Sequence, residues 1–176
     1  MKLSTGSKGL LIAAAVGGGK VLAWHHVDEQ WGGKAAQKWY AEVLSPALKK
    51  HYKGIKNFSI LEDNDPTGNC SGLGVKAKAT AKLSVFKIPK RSPDLNVLDY
   101  AVWSEMEKRM RAMERKFPKD KKETRAQFRD RLAKVAAGLD KKFIEKCIGD
   151  MAVRCQRLYA AKGGLFEEGG KRPGNK

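Results

Sequence analysis

No stretch of this 176-residue chain approaches the roughly 18 consecutive apolar residues that a membrane-spanning helix requires. The run Gly9–Val16 stops at Gly17-Gly18-Gly19, and Lys20–Val27 then resumes in strand-like fashion. A β-hairpin accounts for both halves better than a signal peptide does. Cysteine is scarce: Cys70, Cys147 and Cys155 are odd in number and show no CxxC spacing. That argues against a disulfide framework or a zinc site, and for a reducing compartment. The glycines before Lys20 do not form a phosphate-binding loop, because Val21 stands where Ser or Thr is needed. Acidic residues are few as well, 19 against 36 lysines and arginines, for a net charge of +17. Such an excess points toward polyanions, meaning nucleic acid or an anionic membrane surface, unless it is only a solvated basic exterior.

What is present suits one domain with length enough to bury a core. After the hairpin, Ala35, Trp39, Val43, Leu44 and Leu48 recur at helical spacing over Lys34–Tyr52, with Pro46 set to kink or divide that helix. Trp24, Trp31 and Trp39 read as core or rim aromatics rather than base-stacking platforms. Phe58–Leu61 is a compact strand, and Glu62-Asp63-Asn64-Asp65-Pro66 is polar and turn-forming. A Gly-rich loop with a short helix near Val75–Ala81 leads to a second strand, Leu83–Ile88. Ser92-Pro93 begins a helix over Asp94–Lys116, with Leu95, Leu98, Val102, Met106 and Met110 on one face. Two further helices span Lys122–Leu139 and Lys141–Lys162, and Gly163-Gly164 ends the last.

Two acids stand out by position. Asp63 follows a strand end directly, and Asp99 lies in the first turns of a helix that follows a strand. A carboxylate on a strand end facing one on a helix is a geometry that holds hard cations through oxygen. Two metals about 4 Å apart activate an attacking oxygen and stabilise the leaving one at phosphorus. Each acid alone has a plainer reading, Asp63 as part of a turn and Asp99 as a solvated or capping residue.

The words around these acids are recognisable. "LEDNDPTGN" (Leu61–Asn69) resembles the strand-end motif carrying the second catalytic aspartate of mariner-like DNA transposases. "KRSPDLNVLDYAVWSEM" (Lys90–Met106) resembles the motif carrying their third carboxylate, seven residues after the serine, and Ser92 plus seven is Asp99. The 35 residues between Asp63 and Asp99 are close to that family's usual interval. "MAVRCQRLYAAKGG" (Met151–Gly164) is similar to the family's terminal helix. The resemblance covers about residues 9–165.

It implies an α/β fold of the RNase H type, a mixed sheet with C-terminal helices, with residues 1–165 as a partial transposase catalytic domain and 166–176 as a disordered tail. Asp63 and Asp99 would be catalytic metal ligands for Mg²⁺ or Mn²⁺, in the all-aspartate manner. Asp94 would be a helix-start residue and Asp65 structural. The partner would be double-stranded DNA, the assembly a homodimer, and the location the nucleus in a eukaryote. There are two departures. Gly68 stands where the family usually has a histidine. The first strand, which bears the first aspartate, has no counterpart in Met1–Lys8, and Asp28 and Glu29 fall on the wrong side of the hairpin to replace it. The expectation is a fragment inactive alone, or a non-enzymatic DNA-binding remnant.

The cations expected at DNA are Lys90, Arg91, Lys108, Arg109, Arg111 and Arg115, within a basic run that continues to Lys134. That run reads equally as a solvated face with i,i+4 pairs and as a surface tracking phosphates.

Overall fold

The computed structural model describes residues 9–90, 92–118 and 122–164. The tail assigned to 166–176 lies outside them. The hairpin forms as expected, β1 (Leu11–Gly17) antiparallel to β2 (Lys20–Val27), with Leu11 opposite Val27 and Gly17 opposite Lys20. Its turn needs glycine: Gly18 and Gly19 have φ of +56° and +74°, and a Cβ on Gly18 would strike the His51 ring.

The Lys34–Tyr52 span is one helical path with three windings. These are α1 (Gly33–Lys38), a π-helical segment Trp39–Leu44, and α2 (Ser45–His51). Pro46 sits in the first turn of α2, where its missing N–H matters least. The wide π turns ahead of it relieve the clash that its ring would make with a tighter helix.

β3 (Phe58–Glu62) and β4 (Leu83–Lys87) run parallel in register, from Phe58 beside Leu83 to Glu62 beside Lys87. They are joined through α3 (Gly72–Thr80), whose Ser71 cap accepts from the Gly74 N–H at 3.1 Å. Glu62, expected in the turn, is instead the last residue of β3. Strand alternation turns it inward with Phe58 and Ile60.

The helix expected over Asp94–Lys116 is broken at its start. Ser92 opens only a 3₁₀ turn, Pro93–Leu95, and its side chain caps nothing. The Asn96 side chain then accepts from the Leu98 N–H at 3.1 Å, and the chain continues as a π segment, Leu98–Val102. From there it runs into α4 (Trp103–Glu114). Asn96 is therefore the effective cap, which fits its short acceptor side chain. α5 (Arg125–Ala137) starts with a Thr124–Gln127 capping box, and α6 (Lys141–Ala160) with Asp140.

Helices pack on both sides of the hairpin. Ala13, Ala15 and Ala23 meet Trp39, Tyr40, Leu44, Leu48 and α3 in one core. Val16, Val21 and Trp24 meet Val102, Met106, Met110, Val135 and Ile144 in the other. Among the described residues the strands make one antiparallel and one parallel pair, both orientations of a mixed sheet, without hydrogen bonds joining the pairs. The outer face of the parallel pair carries the neighbouring side chains Leu61 and Phe86, both exposed.

Candidate functional site

Asp63, one residue beyond β3, is exposed at the edge of a cleft of about 410 Å³. The cleft is lined by Asp63, Asn64, Asp65, Ile88, Lys90, Ser92 and Asp99 among others. It forms where the ends of the parallel strands meet the segment leading into α4. Asn64 pins the near wall by donating to the Ile88 carbonyl.

Asp99 reaches the cleft from the first turn of the π segment. Burial pushes its carboxyl above the usual range, and the negative charge of Asp63 pushes it further. Hydrogen bonds from the Trp103 and Asn96 side chains pull the other way without cancelling the rise. The two aspartates thus sense each other across one opening.

Asp65 also lines the cleft, but its carboxylate is engaged by its own loop. Its carboxylate accepts from Trp31 Nε1 at 2.8 Å, Thr67 Oγ1 at 2.8 Å, and the N–H groups of Gly68 and Asn69 at 2.7 and 3.2 Å. Burial alone would raise this carboxyl, but these donors outweigh it and hold it at about 2. Gly68, in the position where a histidine was expected by resemblance, has the Trp31 indole against its Cα. A Cβ there would lie 2.2 Å from Trp31 Nε1.

Asp94 sits in the 3₁₀ turn, and its carbonyl accepts from Arg154 at 3.2 Å. Asp28 lies elsewhere, bonded to Arg129 at 2.9 Å.

Of the expected DNA-contacting cations, Lys90 lines the cleft. Lys108, Arg111 and Arg115 are exposed at α4 and its end, whereas Arg109 is half-buried. Arg109 bonds Glu105 and the Gly138 carbonyl, both at 2.8 Å, and Arg111 pairs with Glu107. Arg91, Lys119 and Lys121 lie outside the described residues.

Three arrangements escaped the sequence reading: the Trp31–Asp65 bond, the Arg154–Tyr100 stack, and a buried group behind Asp63 formed by Tyr40, Glu62, Asn69 and Lys78. Arg154 lay within a quoted motif, but nothing in the string names Tyr100 as its partner. The lysine of the buried group looks no different in sequence from exposed Lys76 two residues earlier.

Among the described residues, no group of three or more His, Cys, Asp or Glu is placed to hold a metal, and no helix is long and apolar enough to cross a membrane.

No protein-family model matches the sequence, and no curated protein sequence matches it. Solved structures do. The catalytic domain of Mos1 mariner transposase superposes with a TM-score of 0.76 at 18% identity, over 90% of this chain and 76% of that one. The Mos1 mariner paired-end complex with Mn gives 0.77 at 18% identity, over 94% of this chain and 48% of that one. The Mos1 strand transfer complex gives 0.73 at 18% identity, again over 48% of the longer chain. The α/β architecture of this chain, with its C-terminal helices, is the RNase H-like fold of the Mos1 mariner transposase catalytic domain.

Proposed function

We propose that this chain is the catalytic part of a mariner-like DNA transposase, in which Asp63 and Asp99 hold Mg²⁺ or Mn²⁺ at a DNA phosphodiester. The observation carrying the reading is the cleft that Asp63 and Asp99 both line, close enough for the charge of one to act on the other. The donor chemistry fits a hard divalent cation. Both groups offer carboxylate oxygens, and a cation held by both would offset the burial and the Asp63 charge that together raise Asp99. Mos1 structures with Mg and with Mn share the fold, as do Mos1 complexes with a transposon end.

When bound, the metal would polarise the phosphoryl oxygens and the attacking oxygen. The chain's own residues do the rest. Asp63 and Asp99 would hold the cation, and Lys90 in the cleft wall would offer a positive charge to a phosphate. Exposed Lys108, Arg111 and Arg115 extend the basic surface along α4. The working form would be a homodimer on paired DNA ends, in a DNA-containing compartment, the nucleus in a eukaryote.

A non-cleaving DNA-binding role is the second reading. It is favoured by the third carboxylate that lines the cleft, Asp65, being engaged by Trp31, Thr67, Gly68 and Asn69, which leaves two for a metal.

Titration of the purified chain with Mn²⁺, followed by loss of the free-ion electron paramagnetic resonance signal, tests the metal site. Weak binding is expected, abolished by Asp63→Ala and unchanged by Asp28→Ala, whose carboxylate is spent on Arg129. Equal binding by wild type and Asp63→Ala would reject the site. Strand cleavage by the 176-residue chain is expected to be very slow, and robust Mg²⁺-dependent cleavage would reject the non-cleaving reading.

A further inference from the structure

Behind Asp63 lies a set of polar groups that no part of the proposed chemistry uses. Lys78 on α3 is 5% exposed and Tyr40 in the π segment 2%. Lys78 Nζ pairs with Glu62 Oε1, and Tyr40 Oη lies 2.6 Å from Glu62 Oε2. A buried ion pair of this kind gives little net stability, so its presence asks for another reason.

Its outlet is Asn69. Lys78 Nζ donates to the Asn69 carbonyl oxygen at 3.0 Å, and Tyr40 Oη stands 3.0 Å from Asn69 Oδ1. Main chain and side chain of this loop residue are thus both held from the core. On the opposite side, Asn69 Nδ2 donates to Asp63 Oδ1 at 2.7 Å.

The direction of the amide follows from charge. An ionised carboxylate only accepts, so Asn69 must present its NH₂ to Asp63 and its oxygen to Tyr40. The single phenolic proton is then shared between Glu62 and Asn69. With one carboxylate oxygen accepting from Asn69, the Asp63 side chain is restrained in its orientation.

We propose that Asn69 is a positioning residue that aims the Asp63 carboxylate into the cleft, and that the buried Tyr40–Glu62–Lys78 group exists to hold Asn69 in that orientation. The inference deepens the metal-site reading and rests on Asp63 being a ligand. Partners that orient a metal-binding side chain commonly matter about 10–100-fold in affinity.

The test uses the whole chain and Mn²⁺ alone as probe, with affinity read by paramagnetic resonance and folding by thermal unfolding without metal. Asn69→Leu, close in size but without a donor, should weaken Mn²⁺ binding about tenfold. Asn69→Gln, which keeps the amide, should regain part of that loss. A purely structural role would not separate these two variants, so equal losses in both would overturn the proposal. Unchanged binding in Asn69→Leu, with binding lost in Asp63→Ala, would overturn it and leave the metal site standing. Unchanged binding in Asp63→Ala would remove the metal site and the proposal together. If Asn69→Leu fails to fold, Tyr40→Phe decides, since it deletes only the hydroxyl. A severalfold weaker Mn²⁺ affinity is expected there, and wild-type affinity would overturn the proposal.

Discussion

At the residue scale, the loop after β3 depends on Asp65 rather than on the aspartate that faces the cleft. Asp65 gathers donors from Trp31, Thr67, Gly68 and Asn69, and so shapes the turn from which Asp63 and Asn69 project. Its carboxyl lies at about 2 in the fold, against about 3.9 for an unfolded aspartate. A group lowered in this way stabilises fully above its unfolded value, and the contribution fades as pH falls from about 4 toward 2. Asp65→Asn should therefore cost about 1–3 kcal/mol in urea unfolding at neutral pH, and the gap from wild type should narrow steadily on acidification through that window. A gap independent of pH would mean that the ionised form is not what the loop selects. Gly68 belongs to the same unit, because a Cβ there would enter the Trp31 indole. Gly68→Ala should destabilise by about 1–3 kcal/mol. In a Trp31→Ala background the same change should cost much less, a coupling that a double-mutant cycle measures directly. Additive effects would show that the indole is not the obstacle.

At the scale of elements, two arginines tie helices to their neighbours. Arg131 on α5 is 7% exposed and bonds Glu123 and Glu114 while its guanidinium lies over the Phe117 and Phe128 rings. Removing it strands Glu123, itself 5% exposed, so Arg131→Met should cost about 3–5 kcal/mol in denaturant unfolding. A cost below about 1 kcal/mol, the level of an exposed pair, would show that water already screens this node. Arg154 on α6 stacks 3.8 Å from the Tyr100 ring centroid and bonds the Asp94 carbonyl, while the Tyr100 hydroxyl donates to the Cys147 carbonyl. Helix α6 thereby grips the segment that carries Asp99. These ties explain how far the sequence could be read. The hairpin, the parallel strands and the three long helices follow from periodicity and from glycine and proline punctuation, which are local signals. Asp63 and Asp99, which line one cleft, were picked out as candidates because each sits in a distinctive string of neighbours. The partners of Arg154 and Lys78 depend on contacts between segments apart in the chain, and no local pattern encodes them.

Across the whole molecule, the net charge of +17 is the property that acts at the longest range. Not all of it faces outward, since Lys78 and Arg131 are buried on acidic partners. Exposed Lys108 and Arg115 remain on the outer surface of α4 and its end. A surface of this kind binds duplex DNA by displacing condensed counterions, which depends on phosphate spacing and hardly on base sequence. The chain should therefore bind unrelated duplexes with similar affinity at about 50 mM salt, and the logarithm of affinity should fall linearly with the logarithm of salt, by about 0.9 per phosphate neutralised. Lys108→Ala and Arg115→Ala should each weaken all duplexes alike and lower the slope by about one. Fluorescence anisotropy across a salt series reads both quantities. Binding that ignores salt, or a strong preference among duplexes, would show that contacts to base edges outweigh the backbone field.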